Sequence, residues 1–208
     1  MPRPQRSLAT LEEVRSELPL LSATPAAWGE LAAANLPVFL SDHAVCEQQA
    51  AVSALALVGW YPADAELVEA MSALAAEEIQ HMRRVLHLLH RREWRPANRR
   101  TNPWAKGLRE AIETGREPMQ KVDRLLVGAL IEARSCERFT LLHATTADAE
   151  VRELLEDLGP AEMRHWQLFH RLAAREIDEG ALATRFRRWL RLERDLHARG
   201  GVLPTVHG

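Results

Sequence analysis

Two short stretches, Glu78-Ile79-Gln80-His81 and Glu162-Met163-Arg164-His165, each set a carboxylate and an imidazole three residues apart. On a helix that spacing puts both side chains on one face, about one turn apart, where they can grip the same metal ion. Two such helices facing each other, with two more helices each adding a Glu, make a dinuclear carboxylate site inside a four-helix bundle. The motif alone carries little weight, because a chain this rich in Glu, with nine His, contains about one E-x-x-H by chance. Its meaning depends on the elements that position it.

Helical signals dominate the chain. An irregular arm leads into a short helix around Leu8–Leu18, and Thr24 followed by Pro25 reads as an N-cap with proline at the first helical position. A helix from there to about Ala34 is followed by a second start at Asn35 and Pro37. A long helical pattern then spans Val38–Val58 and stops at Gly59 and Tyr61-Pro62. Asp64 can cap the next helix, Ala65 to about Arg91. Residues 92–102 lack an apolar period and contain Pro96, which marks a loop, with a short helix expected at Trp104–Glu113. A third long helix is expected from Pro118 to His143, and a fourth from Asp148 to about Glu176, interrupted at Gly159-Pro160. One more arginine-rich helix spans 181–199, and Gly200-Gly201 begins a frayed tail. Strand alternation and hairpin turns are nearly absent, so the expected fold is an all-α four-helix bundle with additional short helices at both ends. This divides the chain into an arm (1–20), the bundle (21–180) and a basic C-terminal helix and tail (181–208).

The remaining two acids must come from the first and third long helices. The first offers Asp42 and Glu47, the third Glu132 and Glu137. Within each pair the spacing of five residues is about 140° around the axis, so one face presents only one of them. In an antiparallel hairpin, residues at the same height lie equally far from the connecting loop. Glu78 is 14 residues after Asp64, and Glu47 is 12 before Gly59 whereas Asp42 is 17 before it. Glu162 is 14 after Asp148, and Glu132 is 11 before His143 whereas Glu137 is only 6 before it. The candidate ligand set is therefore Glu47, Glu78, His81, Glu132, Glu162 and His165, with Glu137 as the substitute because the Gly159-Pro160 break disturbs the second count. The two halves read as copies of one hairpin, with Val45-Cys46-Glu47 and Ser135-Cys136-Glu137 as a trace of duplication.

The flanks fit an inward face. Ala44, Ala50 and Ala51 surround Glu47, and Gly128, Ala129, Ser135 and Cys136 surround Glu132, which leaves room for metal, dioxygen and substrate. Leu74, Met82, Val85, Leu158, Trp166 and Phe169 around the other two acids can exclude water. A single helical Glu or His is by default a solvated or core residue, but four carboxylates buried together without cations are prohibitively costly. One His per metal among carboxylates favours iron or manganese over structural zinc.

Charge is uneven. The chain carries −2 overall, which argues against bulk nucleic-acid attraction, yet Arg91, Arg92, Arg95, Arg99, Arg100, Lys106 and Arg109 stand against Glu93 alone. That segment is net +6 and the remainder −8. Trp94 and Trp104 are interleaved, the combination that unpaired RNA loops require for phosphate contact and base stacking. Arg91, Arg92, Arg95, Arg99, Arg100 and Lys106 are accordingly candidate RNA contacts. A second basic stretch, Arg185 to Arg199 with Phe186 and Trp189, reads as an amphipathic helix packed on the bundle. Two cysteines, Cys46 and Cys136, are too few for a disulfide framework and read as small core residues of a protein in a reducing cytoplasm. No apolar run of 18 residues occurs, and no apolar signal core follows the basic N-terminus, so no membrane association is expected.

At Asp42-His43-Ala44-Val45-Cys46-Glu47, and above all at Ile131-Glu132-Ala133-Arg134-Ser135-Cys136-Glu137-Arg138-Phe139, the chain resembles the tRNA 2-methylthio-isopentenyl-adenosine hydroxylases (MiaE type) of the ferritin-like superfamily. The resemblance runs from about Leu21 to Arg175. It takes in Thr24-Pro25, Trp28, both E-x-x-H pairs and Leu125-Leu126-Val127-Gly128-Ala129. It implies a ferritin-like bundle with two iron ions held by the six residues above. It also implies hydroxylation, with dioxygen, of the isopentenyl group on the adenosine beside the tRNA anticodon. No flavin or nicotinamide fingerprint is present, so electrons are expected from an external reductase. A ferroxidase or iron-binding protein without tRNA activity would share the ligands. A radical-generating reductase subunit would want a tyrosine beside them, and the only one, Tyr61, falls in a loop. A helical adaptor would make the six residues coincidental.

Overall fold

Eight helices and no strand are found among the described residues of the computed structural model, which are 9–96, 102–200 and 203–207. They are α1 (Leu11–Glu17), α2 (Ala26–Ala34), α3 (Leu36–Trp60), α4 (Ala65–Arg91), α5 (Pro103–Glu110), α6 (Met119–Thr145), α7 (Ala149–Ala174) and α8 (Glu179–Arg199). The four long helices, of 25 to 27 residues, form two antiparallel hairpins, α3/α4 and α6/α7, each closed by a short link. At 1.5 Å per residue each helix runs about 40 Å.

Local chemistry sets the starts. The N–H of Leu67 donates to Asp64 Oδ1 (3.1 Å) and that of Val151 to Asp148 Oδ1 (3.1 Å), which caps α4 and α7 as the sequence implies. Thr10 and Glu13 form a reciprocal capping box on α1, and Asn102 and Asp178 cap α5 and α8. Two expectations are corrected. Thr24 does not cap α2, whose N-cap is Pro25 without a side-chain bond; its hydroxyl and N–H both go to Glu137 instead. The start of α3 is where the sequence puts it: Asn35 is the N-cap with Pro37 in the first turn, and the Asn35 side chain donates back to Leu31 O (2.8 Å).

Second, α7 is not interrupted at Gly159-Pro160 but runs through Pro160. Proline disfavours a helical predecessor mainly by a clash with that residue's backbone and Cβ, and Gly159 has no Cβ. Buried Leu154, Leu155 and Leu158 before the break, and Ala161, Glu162 and His165 after it, hold both halves against the core.

The core is divided into two apolar ends. One contains Leu57, Leu67, Met71, Leu126 and Phe169; the other contains Phe39, Val85, Phe139, Leu142, Val151 and Leu158. On every long helix the six candidate ligands fall between these two clusters, so the bundle carries a polar layer across its waist. The flanking segments are tied to the bundle. Buried Val14 and Leu18 seat the N-terminal helix beside Ala133 and Cys136. On α8, Trp189 is buried with its indole N–H on Asp123 (2.7 Å), and Arg185 clamps the same carboxylate (2.6 Å). That helix is amphipathic and packed, as its sequence implies.

The tail beyond α8 is a further correction. Within residues 203–207, Val206 and His207 are buried, because Asp42 Oδ2 accepts the Val206 N–H (2.7 Å) and Arg138 donates to Val206 O (2.9 Å). The His207 ring stacks on Trp104 at 4.8 Å.

Candidate metal centre

Glu78 stands at the middle of the polar layer. Its Oε2 lies 3.1 Å from His81 Nδ1, one turn along its own helix, and its Oε1 lies 2.8 Å from His165 Nδ1 on α7. Glu47 reaches in from α3, with Oε2 3.7 Å from His81 Nδ1 and Oε1 2.5 Å from His43 Nε2. Ligand atoms of Glu47, Glu78, His81 and Glu162 all fall within 4.8 Å of one another, and so do those of Glu78, Glu132 and His165. The six residues named from sequence are therefore brought together in two groups that share Glu78, and all six are buried.

The structure also separates the rejected acids from this layer. Asp42 accepts from the C-terminal tail. Glu137 accepts from Thr24 (2.6 Å), Arg15 (2.9 Å) and Arg134 (2.5 Å). Glu137 is thus fully occupied by these donors and lies outside both ligand groups. It follows that the Cys46-Glu47 and Cys136-Glu137 strings do not mark one register, since Glu47 enters the layer and Glu137 points away from it.

Electrostatics show what the layer lacks. Burial pushes Glu162 well above the usual carboxylate range, and repulsion from Glu132, Glu78 and Glu47 adds to it. Burial likewise raises Glu78 to about 7, despite its contacts with His165 and His81. Burial alone would favour neutral rings at His81 and His165. Glu47 and Glu78 overcome it at His81, which rises to about 9, and Glu77 and Glu78 do so at His165, which rises to about 10. Burial also opposes the ionised form of Glu47, but His43 prevails and holds it well below the usual range. The layer without metal is therefore a cluster that must retain protons to be tolerable, and divalent cations supply the same compensation. Glu78 Oε1 and His165 Nδ1 are buried and close, yet they make no hydrogen bond to each other or to any described residue.

Two residues that sequence reasoning passed over complete the geometry. Glu77 faces the outer nitrogen of both rings, with Oε2 3.3 Å from His165 Nε2 and Oε1 3.8 Å from His81 Nε2, and Arg164 holds it at 2.7 Å. The contact with His165 leads in keeping the Glu77 carboxyl down at about 2. A carboxylate behind a ligating histidine fixes its tautomer and ring orientation. The available signal was Glu77 at i−4 from His81. His43, buried between Phe39 and Phe139, sits at i−4 from Glu47 and steadies it in the same way.

A narrow cavity of about 50 Å³ opens onto the layer, lined among others by Glu47, Glu132, Glu162, Ala50, Gly128 and Ser135. The small residues expected around the acids contribute three of these walls; Ala44, Ala129 and Cys136 are packed in the core instead.

Known proteins fall in line with this site. The family described as tRNA-(MS2IO6A)-hydroxylase (MiaE) matches residues 11–208, well beyond the stretch that carried the resemblance in sequence. This chain belongs to the MiaE family. It is 41% identical over 162 residues to the tRNA 2-(methylsulfanyl)-N(6)-isopentenyladenosine(37) hydroxylase of Pseudomonas putida, covering 77% of each chain. It is 30% identical over 222 residues to the protein of the same name from Salmonella typhimurium, covering 83% of this chain and 81% of the other. Its fold is similar to that of Protein 43 with aldehyde deformylating oxygenase activity from Synechococcus. There the TM-score is 0.86 at 32% identity, over 91% of this chain and 95% of that one. The ferritin-like fold and the carboxylate–histidine layer fit a di-iron centre.

Of the basic residues expected to meet RNA, Arg99 and Arg100 lie outside the described residues. Arg91, Arg95 and Lys106 are exposed. Arg92 is committed elsewhere: its guanidinium forks onto Asp148 (2.5 and 2.8 Å) and also binds Glu150, tying the end of α4 to the start of α7. No helix among the described residues is long and apolar enough to cross a membrane.

Proposed function

We propose that this chain is a cytoplasmic di-iron monooxygenase that hydroxylates the isopentenyl group of the 2-methylthio-isopentenyl adenosine beside the tRNA anticodon. The observation that carries the reading is the buried layer in which Glu78 is shared by two ligand groups, in a chain of the MiaE family. Glu47, Glu78, His81 and Glu162 would hold one iron, and Glu78, Glu132 and His165 the other. When bound, the pair of irons supplies two-electron activation of dioxygen, so that one oxygen atom enters a C–H bond and the other leaves as water. Electrons would come from an external reductase, the sequence carrying no flavin or nicotinamide fingerprint.

The protein's residues do the positioning. Glu77 behind both rings keeps His81 and His165 with Nδ1 turned inward, and His43 steers Glu47. Phe139 and Phe169, lining the inner cavity, keep water from the reacting bond. The basic segment around Arg91, Arg95, Arg99, Arg100 and Lys106 receives RNA phosphates, while Arg92 serves the fold. A base modified in this way must leave the anticodon stack to reach the interior.

Anaerobic loading with ferrous iron is expected to give two irons per chain. Prenylated tRNA supplied with dioxygen and a reductant should then gain one oxygen atom in its isopentenyl side chain, read by nucleoside mass spectrometry. Two irons with oxidation of iron but no change in the nucleoside would replace this reading with that of a ferroxidase. Charge removal at Arg99 and Arg100 together is expected to weaken tRNA binding and flatten its salt dependence; unchanged affinity would remove the segment from the interface.

A further inference from the structure

The inner cavity does not end at the carboxylate layer. It shares Ser53, Arg109, Gly128, Ile131 and Phe169 with a wider cleft of about 380 Å³ that opens on the surface between α3, α5 and α6. Phe169 lies against Gly128, where an added Cβ would come within 2.8 Å of its ring, so a larger residue at the junction of the two spaces would have to displace that ring. Glu132 is two helical turns beyond Arg124, about 12 Å along the axis, with Gly128 midway, a span that an isopentenyl group and the purine carrying it cover together. A narrow inner end and a wide outer end fit a slim apolar chain attached to a large flat ring.

The outer rim carries an unusual pairing. Trp60 keeps 55% of its surface exposed, a large indole left in water at the end of α3. The Arg124 guanidinium lies over its ring at 3.8 Å. Arg124 is held there from the other side, since it donates to Tyr61 Oη (2.8 Å), which donates in turn to Glu117 (2.9 Å). An indole and a guanidinium fixed in this way form a rigid platform of the kind on which unpaired bases stack. Arg109 at the same rim is exposed and has no ion-pair partner among the described residues, so its charge is available to a phosphate. Gln120, also in the cleft, uses its carbonyl oxygen on Gly115 N–H (3.0 Å) and retains its amide hydrogens for a base edge.

We propose that the Trp60–Arg124 platform is the base-recognition subsite: the adenine of a prenylated, flipped-out nucleotide stacks there, and its prenyl chain passes Gly128 and Phe169 to reach the carboxylate layer. This rests on the hydroxylase reading above and adds to it the residues that hold the base. It also distinguishes this platform from the basic segment that follows α4, which meets the backbone.

The test is the affinity of the iron-loaded protein, without reductant, for a fluorescent anticodon stem-loop RNA bearing the prenylated adenosine. Trp60→Ala should weaken binding by about 5- to 100-fold, the range for loss of one base–aromatic stack. Trp60→Phe, which keeps a ring, should recover most of it, and two irons per chain should be retained in both. Because Trp60 is largely exposed, its removal leaves the fold intact; Arg124→Gln, expected to weaken binding in the same direction, is the second probe. Equal affinity of wild type and Trp60→Ala would overturn the assignment. Tight, Trp60-dependent binding by a protein that never oxidises the nucleoside would instead overturn the hydroxylase reading and leave the subsite standing.

Discussion

Glu132 and Glu137 stand five residues apart on α6 and are equally well buried, at 5% and 1% exposure, yet they live in opposite electrostatic worlds. Glu137 meets Arg15, Arg134 and the hydroxyl of Thr24, and Arg134 continues to buried Glu193 at 2.8 Å. Burial alone would raise the Glu137 carboxyl, but Arg134 and Thr24 hold it below its usual value. The group is a closed structural knot that joins α1, the segment leading into α2, α6 and α8. Glu132 enters a layer whose other members are three carboxylates and two histidines, with no arginine or lysine among them. One buried acid is answered by arginines of the chain; the other is grouped with two histidines and three further carboxylates. Burial of acids is therefore uninformative until their partners are counted.

The largest effect expected from breaking this contrast lies in the knot. Arg134→Met strands buried Glu193 and leaves Glu137 to Arg15 and Thr24 alone, and should destabilise the fold by about 3–5 kcal/mol, measured as a shift of the urea midpoint. The same kind of change in the layer has the opposite sign: Glu162→Gln in metal-free protein replaces a carboxyl that burial and its acidic neighbours keep protonated with a neutral amide, and should leave the midpoint unchanged or raise it. Next in size, ferrous iron should stabilise the wild type by about 2.7 kcal/mol at a hundredfold excess over its dissociation constant. Arg134→Met should keep that increment and Glu162→Gln should lose much of it.

A smaller effect is expected behind the rings. Glu77→Gln should weaken iron binding by about 10- to 100-fold, the usual size for loss of a carboxylate supporting a metal histidine, with thermal stability of the metal-free protein little changed. The smallest concerns His197, which accompanies the arginine knot: its Nε2 accepts from Arg138 (3.2 Å). Burial, with Arg134 and Arg138 adding to it, pulls this imidazole down to about 4. Its folded value lies below its ordinary 6.5, so its contribution is complete above about 6.5 and is lost as pH falls toward 4. His197→Gln should accordingly show a shallower fall in Tm over that window than the wild type.

These regions were unequally legible in sequence. Choosing Glu47 over Asp42, and Glu132 over Glu137, needed only a regular helical rise and two short links, and both choices lie in the layer. What the sequence did not disclose depends on partners distant along the chain. Thr24 has the residue type and position of a cap, but a hydroxyl whose strongest acceptor is Glu137, 113 residues away, cannot be assigned locally. The Gly159-Pro160 pair reads as a break by proline chemistry alone, and only packing on both sides of it keeps α7 whole. Val206 and His207 follow two glycines and read as a frayed end, yet Asp42 and Arg138 hold them. Glu77 stood beside a residue already chosen, and its role follows from two rings on different helices turning the same edge toward it.

The central claim is that the layer is a two-iron site with Glu132, not Glu137, as the α6 ligand. The most direct measurement is anomalous scattering at the iron edge on crystals of the iron-loaded protein. Two peaks are expected on either side of Glu78, one beside Glu47 and His81 and the other beside Glu132 and His165. A single peak, none, or density beside Glu137 would contradict the account.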